Sequence, residues 1–137
     1  MSGETHLNHL LHALSPSLSS QTYVFCCVAD WEPRQLEKLR PLASFREREG
    51  VTLILEKAMA DQEKLAYEGL FRCITLEVHS SLQAVGLTAA VANKLTSLGI
   101  SANVVAAYYH DHIFIPTQEA ERALAGLREL SRNGANH

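Results

Sequence analysis

The sequence predicts an α+β fold in which antiparallel strands pack against helices, and the second half of the chain carries the clearest evidence. The elements predicted there are a strand over Phe71–Val78, a helix from Gly86 to Gly99, a strand over Ser101–Tyr108, a tight turn at His110-Asp111, a strand ending at Pro116 and a helix from Thr117. One helix thus lies between two strands, and a hairpin follows it directly. This order is typical of ferredoxin-like modules, and it narrows the possible functions without selecting one.

The first half of the chain has a similar but less regular succession of elements. Its first helix is predicted from the spacing of Leu7, Leu10, Leu11 and Leu14, and it ends before Ser15-Pro16. We further predict a strand over Tyr23–Val28, a short helix between Pro33 and Pro41, a turn over Glu47–Gly50, a strand over Val51–Glu56 and a helix around Ala60–Leu65. This pattern predicts two small modules, with residues 1–65 in the first and residues 66–137 in the second.

Hydrophobic periodicity predicts the buried faces of the second module. Its predicted core consists of Ile74, Leu76, Val78, Leu87, Val91, Leu95, Leu98, Val104, Ile113, Ile115, Leu124 and Leu127. Gly99 has the position of a left-handed helix cap, with Ile100 as its hydrophobic partner. The last helix is predicted to begin with Thr117 as its N-cap, and its buried stripe is Ala120, Ala123, Leu124, Leu127 and Leu130.

Composition excludes several classes of partner. The 137 residues are 47% hydrophobic and 20% charged, which is enough apolar material for a sizeable core. The net charge is −3 and the basic residues are not clustered, so we expect no binding to nucleic acid. No apolar run approaches the roughly 20 residues that cross a bilayer, so we expect no membrane partner.

The cysteines and the N-terminus indicate the compartment. Cys26, Cys27 and Cys73 form an odd number without CxxC spacing, which is typical of reduced thiols in a cytoplasmic protein. The segment Met1-Ser2-Gly3-Glu4 lacks the basic start and apolar stretch of a signal peptide. We therefore expect a cytoplasmic protein with free thiols.

The turn before the helix at Gly86 has two interpretations. Free backbone N–H groups at a helix N-terminus favour a bound carboxylate through hydrogen bonds and the helix dipole together. Glycine would let a ligand approach the backbone closely. The other interpretation is purely structural: Gly86 only eases a tight turn, and Ser80 and Ser81 cap the helix.

The segment His110-Asp111-His112 has three interpretations. Alternation along a strand places both histidines on one face and Asp111 on the other, so the histidines could supply two metal ligands. No third ligand with suitable spacing is visible, whereas a zinc site needs three or four. The segment is also consistent with a hairpin turn in which Asp111 adopts left-handed backbone angles and the histidines face solvent. A third interpretation, in which Asp111 binds a ligand, depends on the family resemblance below.

The second half resembles the ACT domain, a small regulatory fold that senses amino acids in many metabolic enzymes. The residues that carry the resemblance are the strand Ile74–Val78, the helix Gly86–Leu95 and the cluster Gly99–Ala106. A hydrophobic strand, a helix entered through glycine and a Gly-Ile-Ser-x-Asn-Val cluster form the usual ACT outline.

Two segments, Ser80–Ala90 and Tyr108–Pro116, resemble more narrowly a family of small bacterial proteins that consist of two ACT-like modules and have no assigned activity. That subfamily is similar to the tandem ACT modules of aspartate kinases and of animal cytosolic arginine sensors. The narrow match covers about residues 66–132 and extends faintly through Phe45-Arg46-Glu47 and Thr52–Leu55.

The resemblance implies a ligand site at the turn and at the hairpin. The family binds amino acids at this turn, commonly across a module interface, and related tandem modules are similar in using acidic residues around their pocket. The candidate ligand-binding residues are Ser80, Ser81, Ala84, Val85, Gly86, Leu87, Thr88 and Asp111. The turn would bind the carboxylate, and Asp111 would meet the amino group or the basic end of the ligand.

The predicted function is that of a non-catalytic sensor that binds a small metabolite, an amino acid, and signals to a partner. The alternative is a protein–protein interaction module that joins sheets edge to edge and has lost the ligand. No phosphate loop, nucleophile elbow or nucleotide fingerprint is present, and Cys26 lacks an identifiable base. We therefore expect no enzyme activity, cofactor or metal, and the resemblance implies a homodimer or larger oligomer.

Overall fold

The computed structural model describes residues 2–78 and 86–134, with side chains described from Leu7 onward. The elements in chain order are α1 (Ser2–His12), β1 (Pro16–Val28), α2 (Pro33–Leu39), β2 (Ala43–Glu47), β3 (Gly50–Glu56), α3 (Lys57–Gln62), β4 (Phe71–Leu76), α4 (Leu87–Ser97), β5 (Asn103–Ala106), β6 (Asp111–Pro116), a short 3₁₀ helix (Thr117–Glu119) and α5 (Ala120–Asn133). The strand pairs β1–β3, β2–β3 and β5–β6 are antiparallel. The predicted α+β class is confirmed.

The chain forms two compact units that are not contiguous halves of the sequence. The first unit consists of Met1–Ser20 and Arg72–His137, and the second consists of Gln21–Phe71. Strand β1 contributes its N-terminal part to the first unit and the rest to the second. The predicted boundary between residues 65 and 66 divides the chain into two consecutive ACT-like modules, which is a different division from these compact units. That boundary stays a prediction.

The first unit has strand order β1-β4-β6-β5 and a single hydrophobic core formed with three helices. Leu10, Leu11 and Leu14 bring α1 into this core, where they pack with the stripes of α4 and α5. Ten of the twelve predicted core residues are buried, and the other two, Leu98 and Val104, are partly buried against the same cluster. The apolar faces of both predicted helices are therefore correct.

The C-terminus of α4 is capped as predicted. Gly99 has a φ of 72°, which glycine adopts without the steric cost that a side chain would bring. The N–H of Gly99 donates to the Thr96 carbonyl at 2.9 Å, and the N–H of Ile100 donates to the Leu95 carbonyl at 3.0 Å. Ile100 itself is buried, so the turn after α4 is fixed by both hydrogen bonds and packing.

The start of the last helix differs from the prediction. Thr117 is not an N-cap, because it begins a 3₁₀ turn over Thr117–Glu119 that leads into α5 at Ala120. No side chain in this described segment caps either helix start, and the Thr117 hydroxyl instead faces Gln118 Oε1 at 3.5 Å. The predicted buried stripe of α5 is confirmed, and Gly126 joins it.

The hairpin between β5 and β6 turns two residues earlier than predicted. Asp111 pairs with Ala106 as the first residue of β6, and the turn is Ala107–His110, closed by the Ala107 N–H donating to the His110 carbonyl at 3.1 Å. The predicted turn at His110-Asp111 was therefore wrong, and the interpretation with left-handed angles at Asp111 fails as well, since Asp111 has no positive φ. Tyr108 and Tyr109 form the tip, where their rings contact each other edge to face.

The second unit has strand order β2-β3-β1 and its own core. Val51, Leu53 and Leu55 of β3 are buried there, together with Val24 and Cys26 of β1. Two bounds were wrong, because β1 begins at Pro16 rather than Tyr23 and α3 begins at Lys57 rather than near Ala60. Strand β2 was not predicted. Pro16 is tolerated because it is the first residue of its strand.

The three cysteines have free thiols: Cys26 and Cys73 are buried, and Cys27 is exposed. Within the described ranges, no helix has the length and apolar character needed to span a membrane.

Candidate functional site

The candidate ligand-binding turn leads into α4. The predicted site residues that lie outside the described residues are Ser80, Ser81, Ala84 and Val85. Gly86, Leu87 and Thr88 are described, and they form the cap and first turn of α4. Leu87 is buried in the core of the first unit, whereas Thr88 is exposed. Gly86 has no side chain and the side chain of Leu87 is buried in the core. If these three residues bind a ligand together, they therefore do so through their backbone groups.

The N-terminus of α4 has no side-chain cap in the described chain. Gly86 is the N-cap residue, with φ 97° and ψ −21°, and no side-chain hydrogen bond is made to it. The first N–H groups of any helix lack partners within the helix, and the helix dipole is positive at this end. This helix of 11 residues thus presents donors that suit a carboxylate.

Gly86 also lines a cavity of about 390 Å³ in the first unit, a size within the range of small-molecule sites. The other lining residues are Leu7, Ala89, Ala90, Asn93, Lys94, Ser97 and Leu130. The Lys94 ammonium is already paired with Glu129, with Nζ 2.6 Å from Oε1. Leu87, Thr88 and Asp111 do not line this cavity. Of the predicted site residues that the structure describes, Gly86 alone lines it.

Asp111 is half-buried at the start of β6. Alternation along β6 places it on the same sheet face as Ile113 and Ile115, both of which are buried in the helix-backed core. His112 lies on the opposite face, where its Nδ1 is 3.0 Å from the Thr75 hydroxyl of β4. Asp111 therefore lies on the face of the sheet that packs against the helices, and His112 does not.

Contacts between β4 and β6 locate the end of the sheet at which Asp111 lies. Glu77 follows β4 directly, and its Oε1 is 3.9 Å from Nε2 of His110 in the hairpin turn. Glu77 is also one of the last described residues before the chain continues to α4. Asp111 and the point at which the chain leaves β4 toward α4 are thus at the same end of the sheet. The structure gives no direct contact between Asp111 and Gly86.

The two histidines of the hairpin have different environments. Burial lowers the pKa of His112, the charge of His110 lowers it further, and the charges of Asp111 and Glu77 act in the opposite direction. Desolvation is the largest effect, so the neutral ring is favoured. Among the residues that the structure describes, Nδ1 of His110 is buried and has no hydrogen-bond partner, although the side chain as a whole is 33% exposed.

Sequence reasoning did not predict that Glu77 and Thr75 lie beside the two histidines of the hairpin. Their signal was present, because they alternate with the buried residues Ile74, Leu76 and Val78 and so belong to the other face of the strand. What the sequence did not contain was the pairing that brings them to His110 and His112. The described residues contain no group of three or more His, Cys, Asp or Glu side chains arranged to hold a metal ion.

Comparison with known proteins identifies both parts of the chain. Models of the ACT domain match residues 2–72 and residues 70–129. A Vibrio cholerae protein of unknown function, described as a possible transport protein, has a solved structure that is 50% identical, with a TM-score of 0.85, and the match covers 94% of this chain and 98% of that one. No curated protein matches the chain.

More distant structures share the fold. An Agrobacterium tumefaciens protein is 14% identical with a TM-score of 0.70, and the match covers 85% of this chain and 87% of that one. The regulatory subunit of aspartate kinase from Thermus thermophilus is 12% identical with a TM-score of 0.63, over 85% of this chain and 97% of that one. The two domain matches together span most of the sequence, and the chain belongs to the ACT domain family.

Proposed function

We propose that this protein is a non-catalytic sensor that binds an amino acid and passes the signal to a protein partner. ACT domains generally act as regulatory ligand-binding modules, and this chain contains two of them. The proteins that share its fold include the regulatory subunit of an aspartate kinase. The proposal takes the cytoplasm as the compartment, since free thiols suit reducing conditions.

The observation that carries the proposal is the N-terminus of α4. Its N-cap is a glycine with a left-handed φ, and no described side chain satisfies the free N–H groups of its first turn. An amino-acid carboxylate would accept hydrogen bonds from these groups and would be stabilised by the helix dipole. The absence of a side chain on Gly86 would leave room for that approach.

The opposite end of an α-amino acid carries a positive charge and needs an acceptor. Asp111 supplies a carboxylate at the same end of the sheet, on the face that packs against the helices. Hydrogen bonds to charged groups contribute roughly 1.5–3 kcal/mol each. The N–H groups of α4 would bind the carboxylate of the ligand and Asp111 would bind its ammonium group, so both charged ends of a small ligand would contribute to its binding free energy.

Thermal-shift screening of the twenty common amino acids tests the proposal. A ligand that binds the native state alone must raise its melting temperature, and the rise must grow with ligand concentration. We expect one amino acid or a small related set to stabilise the protein. If none of the twenty changes the melting temperature at millimolar concentration, the proposed function is wrong.

A second candidate function is a protein–protein interaction module, favoured by one specific observation. Strand β2 is the last strand in the order of the second unit, and Phe45 on it is 71% exposed. Exposed strand edges invite pairing with another strand, which also supports the proposal of a homodimer or larger oligomer. Light scattering on the wild type and on Phe45→Ser separates the two functions. If the wild type is an oligomer, Phe45→Ser is a monomer and no amino acid binds to the wild type, the interaction module is favoured.

A further inference from the structure

We propose that the cavity beside Gly86 receives the side chain of the bound amino acid, and that it selects an uncharged, aliphatic side chain. This inference rests on the proposed function, because it concerns an amino acid whose carboxylate binds at the N-terminus of α4. It adds the residues that determine specificity and the chemical class of the ligand.

The first observation is where the cavity lies. Gly86 is both the N-cap residue of α4 and a lining residue of the cavity. The other lining residues of α4 recur at the three- and four-residue spacing of one helix face: Ala89, Ala90, Asn93, Lys94 and Ser97. A helix rises 1.5 Å per residue, so these residues extend over roughly 16 Å of α4. The cavity therefore begins at the proposed carboxylate site and leaves room for a side chain of several carbons.

The second observation is the apolar character of the lining close to Gly86. Leu7 of α1, Ala89 and Ala90 of α4 and Leu130 of α5 all line the cavity, and none of them has a polar side-chain atom. A methylene group that leaves water for such surroundings strengthens binding about fourfold. A polar group moved there without a hydrogen-bond partner weakens it. This lining therefore favours an aliphatic ligand side chain.

The third observation is that the charge in the lining is already neutralised. Among the described residues that line the cavity, Lys94 alone carries a charge, and its Nζ is 2.6 Å from Oε1 of Glu129 on α5. The hydrogen bond from Lys94 and its charge lower the pKa of the Glu129 carboxyl, so this ion pair is maintained at neutral pH. A charged ligand side chain would have to compete with the pair for a partner, and an unpaired charge is costly to desolvate.

Calorimetric titration of the wild type at about pH 7 tests the chemical class of the ligand. Norleucine has the carbon chain of lysine without the side-chain ammonium, and glutamine has the shape of glutamate without the charge. Norleucine also adds three methylene groups to the side chain of alanine. We expect norleucine to bind at least about tenfold more tightly than lysine and alanine, and glutamine at least about tenfold more tightly than glutamate.

A variant that narrows the cavity tests where the ligand side chain binds. Ala89 is exposed and lines the cavity, and leucine is nearly as good a helix former as alanine, so Ala89→Leu should fold. Its affinity for norleucine should fall at least about tenfold, while its affinity for alanine should change less than about twofold. Thr96→Leu adds the same side chain to an exposed position of α4 that does not line the cavity, and it should bind like the wild type.

A second variant tests the role of the ion pair. In Glu129→Gln the Lys94 ammonium loses its partner, so a ligand carboxylate can pair with it. The preference for glutamine over glutamate should therefore fall at least about fivefold. Glu121→Gln removes an equal charge from an exposed position of the same helix and should keep the wild-type preference. Circular dichroism checks that each variant is folded, and the wild-type affinities do not depend on any variant.

The outcomes separate this inference from the proposed function. If lysine or glutamate binds as tightly as its uncharged counterpart, if norleucine binds no more tightly than alanine, or if each variant binds like its control, the inference is wrong while an amino-acid sensor remains. If neither norleucine nor any of the twenty common amino acids binds, the proposed function is wrong and this inference falls with it.

Discussion

The side chain of Leu7 in α1 lies against Gly86: its Cδ2 is 3.2 Å from the position that a Cβ on Gly86 would occupy. This distance is tighter than an ordinary van der Waals contact, and Gly86 also has a φ of 97°. A side chain at this position would therefore meet both steric contact and backbone strain.

Gly86→Ala should destabilise the protein more than Gly99→Ala does. Both residues have positive φ, which costs a residue with a Cβ roughly 1–2 kcal/mol, but a Cβ on Gly99 meets no atom within 4 Å. The difference between the two free energies of unfolding, measured in urea, isolates the contact with Leu7. Gly86→Val should in addition abolish ligand binding. Equal losses in the two alanine variants would mean that Leu7 moves aside freely.

Leu95→Ala should lower the free energy of unfolding by roughly 2–5 kcal/mol, the range for a leucine removed from a well-packed core. Leu95 is fully buried in the core of the first unit. Thr96→Ala changes the exposed neighbouring residue of the same helix and should have little effect. A loss below about half a kcal/mol for Leu95→Ala would show that this face of α4 is not the buried one.

The three thiols should react with iodoacetamide at different rates in the native protein. Cys27 is exposed, whereas burial raises the pKa values of the Cys26 and Cys73 thiols and so lowers their thiolate fraction. Mass spectrometry without reductant should show one alkyl group added quickly and two added slowly. Two rapid additions, or a mass that indicates an intramolecular disulfide, would contradict the burial and the free thiols described above.

His112 should make stability depend on pH. Its pKa in the folded protein is lowered, chiefly by burial, whereas that in the unfolded chain is about 6.5. As the pH falls through the unfolded value toward the lower folded value, the unfolded chain takes up a proton that the folded protein resists. This stabilisation is present above about pH 6.5 and is lost at acid pH.

The measurement is the melting temperature of the wild type and of His112→Gln at about pH 7.5 and pH 5.5. The wild type should lose more stability over this interval than the variant, because the variant lacks the titrating ring. His9→Gln, changed on an exposed surface, should behave like the wild type. If the melting temperatures of the wild type and His112→Gln fall by the same amount between the two pH values, His112 titrates alike in the folded and unfolded states.

Local periodicity was sufficient to predict α4 and α5, because the buried residues of each helix recur on one face. The hairpin was misplaced because Asp and His suggested a turn at His110-Asp111, whereas the register with β5 puts Tyr108 and Tyr109 at the tip. The N-terminal part of β1 is polar in sequence, over Ser17–Thr22, and its extended form depends on pairing with strands distant in the chain. No local pattern could show that.

Long-range contacts also limit what the sequence predicts about the site. The packing of α1 with α4 and α5 joins residues at opposite ends of the chain, so Leu7 could not be predicted as a neighbour of Gly86. Gly86 and Asp111 were selected by family resemblance. The proximity of Glu77 to His110 could be predicted only from the pairing of β4 with β6. Alternation along one strand shows which face a side chain lies on, but it does not show which residue of another strand lies beside it.

The most direct test of an amino-acid site is the affinity of the stabilising amino acid for wild type, Asp111→Ala and Asp30→Ala, measured by calorimetry. Asp30 is an exposed aspartate of the second unit and serves as the control for loss of one negative charge. We predict that Asp111→Ala weakens binding about tenfold or more, which corresponds to roughly 1.4 kcal/mol, while its melting temperature without ligand stays close to that of the wild type. Asp30→Ala should bind like the wild type. Wild-type affinity in Asp111→Ala would contradict the site proposed here.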